Sequence, residues 1–178
     1  SATNTTGAYN TASGYKALYV NTTGCRLTAS GTSALSLNTT GIQNTAYGYS
    51  ALKSNTTANY NTGLGYIALN ANTGGYNTAA GALAGYRNAS GQYNTSLGFS
   101  ALEGVASNNH SYNTAIGGRS NELVTTGGYN ITLGYTSGDN ITTGSGNVCI
   151  GNQAGDVGDT SDAKQCVFIG TSSTGSGS

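Results

Sequence analysis

The stretch YNTASGYKALYVNTTG, residues 9–24, returns as QNTAYGYSALKSNTTA at residues 43–58. Its kernel is the pentad Asn-Thr-Ala-x-Gly, which begins at Asn10, Leu27, Asn44, Asn61, Asn77, Asn94, Asn113, Asn130, Asn147 and, degenerately, Cys166. The steps between these starts are 17, 17, 17, 16, 17, 19, 17, 17 and 19 residues. Gly closes the pentad every time, from Gly14 to Gly170. A repeat this regular decides the architecture before any single residue does.

A 17-residue unit is too short for a helix pair, and no 3.6-residue apolar period runs through it. Thr, Val, Ile and Tyr favour strands, while Gly and Asn supply turns. The expected fold is therefore all-β: a parallel β-solenoid of about ten coils, each of two short strands joined by turns. Equivalent residues would stack about 4.8 Å apart, giving a rod of roughly 48 Å. Residues 1–170 form the repeat domain and residues 171–178, GlyThrSer-rich in character, a flexible tail or linker.

Strand parity is read from the columns. The second pentad residue is Thr in seven units, then Ile131, Val148 and Val167; the fourth runs from Ser13 and Ser30 to Leu133, Ile150 and Ile169. Both turn aliphatic toward the C-terminal end, so both are expected inside. The small third residues, such as Ala12, Ala29 and Ala46, are then expected outside, as a seat for another subunit. Tyr columns before and after the pentad exceed what a 17-residue coil can enclose, so some rings must cover the outside. Stacked Asn side chains are expected to bond along the rod.

Composition removes several function classes. Charged residues are 7% of the chain and the formal net charge is zero, which leaves no electrostatic footprint for nucleic acid or an anionic membrane. No apolar run suggests a membrane-spanning segment, and no CxxC or other metal-ligand spacing occurs. Cys25, Cys149 and Cys166 are expected to be free thiols, the latter two about 8 Å apart between Cα atoms. Catalysis has little to work with: His110 is the one histidine, expected in a solvated loop. Asp156, Asp159 and Asp162 match no calcium-loop spacing. No pair of carboxylates is expected on a common column. The chain is thus expected to be no enzyme and to need no cofactor or metal. The Asn-x-Ser/Thr triplets (Asn21, Asn38 and Asn55 among them) are expected on turns, where a sugar could be attached in a host with the machinery.

NVCIGNQAG (147–155), NTAIGG (113–118) and VFIG (167–170) resemble the short strand of YadA-like trimeric autotransporter head repeats. The NTAxGYxAL…NTTG unit is similar to coils of phage tail fibres. The resemblance implies a left-handed β-roll, a homotrimer, and attachment to a cell-surface glycan or protein receptor. It also implies an extracellular place, on a bacterial surface or a phage virion. The enlarged steps at 101–111 and 155–165 break the repeat. They make Glu103, Asn108, Asn109, His110, Tyr112, Asp156 and Asp159 the candidate receptor contacts. Two other readings compete: an ice-binding solenoid, carried by the Thr column, and a structural subunit of an extracellular filament. The ice reading needs the Thr column to face water.

Overall fold

The computed structural model describes residues 3–105, 108–156 and 160–173. Ten three-residue strands stack in chain order into one parallel sheet. They are β1 (Thr11–Ser13), β2 (Thr28–Ser30), β3 (Thr45–Tyr47), β4 (Thr62–Leu64), β5 (Thr78–Ala80), β6 (Thr95–Leu97), β7 (Thr114–Ile116), β8 (Ile131–Leu133), β9 (Val148–Ile150) and β10 (Val167–Ile169). Register is conserved at every step: Thr45 lies on Thr62, and Thr114 on Ile131. The chain is a parallel β-solenoid with no helix among the described residues.

Each coil carries one strand, not the two expected. The reason lies in the backbone after the pentad. Counting coil positions from the first pentad residue, the seventh, ninth and seventeenth hold left-handed residues, such as Ser50 (φ 52°), Leu52 (φ 51°) and Tyr60 (φ 61°). Left-handed residues at alternate positions curl the chain where a second strand would run straight. Bonds such as Ala51 N–H to Gly48 C=O then close tight turns, while Leu52 N–H reaches up to Ala68 C=O of the next coil. For non-glycine residues this conformation costs on the order of 1 kcal/mol each, offset by stacking against identical neighbours.

Parity is also the reverse of expectation. In β2, β3 and β7 the middle residue, Ala29, Ala46 or Ala115, is fully buried, and in β9 and β10 Cys149 and Phe168 replace it. The flanking residues point out: Leu133, Ile131, Ile169 and Val167 are exposed by 44%, 49%, 66% and 66%. The small column is small because the interior is narrow. The same coil tucks the Ala-Leu pair of the eighth and ninth positions beneath it, for example Ala51 and Leu52.

Facing positions in the core exchange volume. A Cβ on Gly63 would lie 3.2 Å from Leu52 Cγ, so the third residue of one coil meets the ninth of the coil before. Where the ninth residue shrinks to Gly155, the third grows to Phe168, whose ring lies 3.1 Å from a Cβ placed on Gly155. Volume-conserving swaps of this kind keep a core dense.

Two Asn columns line the remaining interior. At the first position, Asn61 accepts Asn77 N–H at Oδ1 (2.9 Å) and donates Nδ2–H to Gly74 C=O (2.9 Å). At the twelfth, Asn38 donates to Asn21 Oδ1 (2.9 Å) and to Gly41 C=O (3.1 Å). Amide-to-amide bonding occurs, but the commoner partner is the backbone of the turn. Buried polar atoms require such partners, which is why Asn recurs. It also corrects the expectation for the glycosylation triplets: Asn21, Asn38, Asn55, Asn88, Asn94 and Asn130 are buried and bonded inside, closed to a transferase in the folded chain.

Candidate functional site

Strand parity creates the most distinctive surface. On the outside of the sheet run four parallel columns: the seventeenth position, then the second, fourth and sixth. The last position of each coil, the seventeenth in a regular one, carries Tyr60, Tyr76, Tyr93, Tyr112 and Tyr129 in an unbroken stack, with ring centroids 4.9, 4.7, 5.1 and 4.7 Å apart. The rings lie within 15° of parallel, so each covers its neighbour's face and offers an edge and a hydroxyl to solvent. The second column is Thr from β1 to β7 and aliphatic from β8 to β10. The fourth is Tyr47, Leu64, Leu97, Ile116, Leu133, Ile150 and Ile169, interrupted only by Ala80, and each of the seven is exposed by 37% or more. The sixth adds Tyr49 and Tyr66, stacked at 5.5 Å, and Phe99 and Tyr135, both over half exposed. From β4 to β8 these columns carry no charged residue. Exposed apolar surface of this extent is uncommon on a monomeric protein.

The candidate contacts of the enlarged steps divide. Tyr112 is exposed within the ring stack, between Tyr93 and Tyr129. Asn109 is exposed and accepts Ser90 Oγ–H at 2.8 Å. Glu103 is nearly buried and pairs with Arg87 at 3.0 Å. Asn108 turns inward and donates to Val124 C=O (3.0 Å), so it is structural and not a contact. Asp156 is half-buried, its carboxyl pushed above the usual range by burial. Asp159 lies outside the described residues.

His110 is the clearest correction. It is fully buried, not solvated. It takes a turn position held by Gly91 and Gly127 in the adjoining coils, and its carbonyl accepts Asn94 Nδ2–H at 2.9 Å. The ring's Nδ1 is 3.4 Å from Asn94 Oδ1, while Nε2 has no partner among the described residues. Burial lowers the imidazole to about 4.

A second correction concerns carboxylates. Glu103, Glu122, Asp139 and Asp156 all occupy the tenth coil position, in four consecutive coils. Asp139 is raised to about 6 by burial first, then by Glu122 and Asp156 on either side. The column lies half a coil from the pentad, where the repeat is least regular in sequence.

These two groups tilt stability in opposite directions. Between pH 6.5 and 4 the unfolded chain protonates His110 and the folded chain does not, so acid destabilises. A shift of that size corresponds to about 3 kcal/mol. Asp139 does the reverse: the folded carboxyl holds its proton up to about pH 6, so acidification through that range stabilises, by about 1 kcal/mol once solvent screening is counted. Urea unfolding at pH 7 and pH 4 is therefore expected to show a net loss in acid. His110→Gln should abolish that loss, and Asp139→Asn should deepen it.

The three cysteines are free, and burial together with Cys166 pushes the Cys149 thiol up to about 12. No group of three His, Cys, Asp or Glu side chains among the described residues is placed to hold a metal ion. No described helix is long and apolar enough to cross a membrane. No protein-family model, curated protein or solved structure matches the chain.

Proposed function

We propose that this chain is a non-enzymatic segment of an extracellular attachment fibre. Three copies run side by side as left-handed rolls, joined through the outer face of the sheet, on a bacterial surface or a virion. The observation that carries this reading is the large apolar fourth column, Tyr47 and six aliphatic residues up to Ile169, exposed on seven rungs. Nine coil steps of about 4.8 Å, across columns spanning about 20 Å, give a face of about 850 Å² per chain, shared between two neighbours, so that the three chains together bury about 2,500 Å², within the range of stable assemblies. The similarity of the NTAxGYxAL unit to fibre and adhesin coils points the same way. The seat lies on the strand flanks and not on the small third residues, which are interior. Exposed Tyr edges and hydroxyls, Tyr112 among them, and the exposed amide of Asn109 suit contact with glycan hydroxyls.

Light scattering on a size-exclusion column in 0.5 M salt tests the assembly. The wild type is expected at three times 17.7 kDa, and the Leu97→Asn/Ile116→Asn double variant as a folded monomer. A wild-type monomer overturns the trimer.

One observation favours a second reading. The Thr column of β1 to β7 faces outward, the condition an ice-binding solenoid requires. Thermal hysteresis at micromolar protein supports that reading; its absence, with the trimer intact, removes it.

A further inference from the structure

Charge along the rod is segregated. All six acidic residues lie at or beyond Glu103, whereas Lys16, Arg26, Lys53 and Arg87 precede it. The coil resolves most of these charges onto one face, away from the sheet columns. Lys53 shares the tenth position with Glu103, Glu122, Asp139 and Asp156, and Arg87 stands one position further. Lys16, at the seventh, reaches over the rings of Tyr15 and Tyr19, 5.3 and 5.6 Å from their centroids. Tyr19 belongs to the same tenth column. This face is basic alongside β1 to β5 and acidic alongside β6 to β9, and Arg119 is drawn into the acidic half by Glu122 at 2.6 Å.

The acidic half is not balanced from within. Arg87 meets Glu103, and Arg119 meets Glu122. Asp139 remains flanked by Glu122 and Asp156, opposed by the charge of Arg119 and by the Glu122 N–H that donates to its Oδ1 at 3.1 Å. A row of carboxylates at rung spacing repels itself, and opposite charge from outside relieves it. Lys53 is exposed and has no ion pair among the described residues.

We propose that this face binds a second copy of the chain, antiparallel, about a two-fold axis passing between β5 and β6. That axis exchanges β3 with β8, which sets Lys53 of each copy against Asp139 of the other. It also exchanges β5 with β6, which sets Arg87 against Glu103, so the intrachain pair becomes a shared cluster at the centre. An isologous contact needs a self-complementary surface, and a face positive over one half and negative over the other is one only when the copies run in opposite directions. Parallel copies place like charge on like. The contact uses a different side of the rod from the sheet face, so it can bundle fibres without competing with the subunit contact within each fibre.

The test uses the full chain in the Leu97→Asn/Ile116→Asn background, which separates it from the sheet-face contact. Sedimentation velocity is expected to show reversible dimers at about 20 mM salt that dissociate at about 0.5 M, as the Debye length shrinks from some 20 Å to a few Å. Lys53→Glu and Asp139→Lys are each expected to weaken the dimer by tenfold or more, and the two together to restore it. Orientation is read by oxidative cross-linking after Cys25→Ser and Cys166→Ser: a mixture of Lys53→Cys and Asp139→Cys chains should give mixed dimers, and neither chain alone should cross-link. A salt-insensitive mass, a double variant no better than the singles, or efficient self-linking of Lys53→Cys would each overturn the antiparallel contact. Loss of the trimer alone would leave it standing.

Discussion

Gly98→Ala is expected to destabilise the chain by about 4 kcal/mol or more, near the upper end of single-residue effects. Two costs coincide. The backbone there has φ +131°, a region that residues with a Cβ rarely adopt. The added methyl would also sit 2.6 Å from Gly117 O and 2.7 Å from its carbonyl carbon, on the next rung. Neither atom can yield easily, because Gly117 C=O accepts Ser120 N–H (3.3 Å) in the tight turn after β7, while Gly117 N–H is held by Leu97 C=O of β6 (2.8 Å). Solenoid stability is a sum of coil and nearest-neighbour terms, so losing one interface should also split thermal unfolding into two transitions. Gly170→Ala is the control. It shares the strained backbone, φ +117°, but its Cβ would meet nothing within 4 Å. Circular dichroism melts should therefore show a small shift for Gly170→Ala and a large one for Gly98→Ala; equal shifts would mean that backbone strain alone makes the column glycine.

Asn77→Ala should cost about 3 kcal/mol, with the fold kept. The Asn77 side chain is fully buried. Its Oδ1 accepts both Asn94 N–H and Asn94 Nδ2–H at 3.0 Å, and its Nδ2 donates to Gly91 C=O at 2.9 Å and to Asn72 Oδ1 at 3.1 Å. Truncation orphans the Asn94 N–H in the interior, about 1–3 kcal/mol, and opens a small cavity besides. Gly91 C=O keeps a second donor from Asn88 (3.1 Å), which limits the damage. Asn77→Asp should be worse than Ala at pH 7, since it buries a carboxylate and removes both donors. It should recover in part as the pH falls and the acid is neutralised. Urea midpoints for the three proteins at pH 7 and pH 5 check the order; an unchanged Asn77→Ala midpoint would remove the amide column from the account of stability.

The repeat, its register and the parallel stacking were legible because one pentad recurs with a fixed glycine. Strand parity was not. Alternation says which residues share a face, not which face is inside, and the aliphatic drift toward Ile131 and Leu133 lies on the exposed face. In a solenoid this thin the interior admits Ala, Leu and Asn, and the bulk goes outside. The absence of a second strand is not legible in sequence, because Leu52 and Ile67 carry no sign of the left-handed conformation they adopt. His110 read as loop because polarity suggested it; only the geometry of the enlarged coil shows that the ring turns in. The sheet face is thus the part of the site the sequence misplaced. The Tyr stack is the part it announced, and the acidic column was visible to anyone aligning the tenth position.

Cysteine labelling of one strand tests the account most directly. Thr95→Cys, Ser96→Cys and Leu97→Cys, each made with Cys25→Ser and Cys166→Ser, place a thiol at successive residues of β6, leaving only the buried Cys149 besides. Under dilute, dissociating conditions positions 95 and 97 are expected to react rapidly, while position 96 reacts only at the rate of unfolding. In the assembled protein position 97 should become protected too. Rapid labelling at 96 with protection at 95 and 97 under dissociating conditions would reverse the parity and, with it, the face on which both the fibre and the ice reading rest.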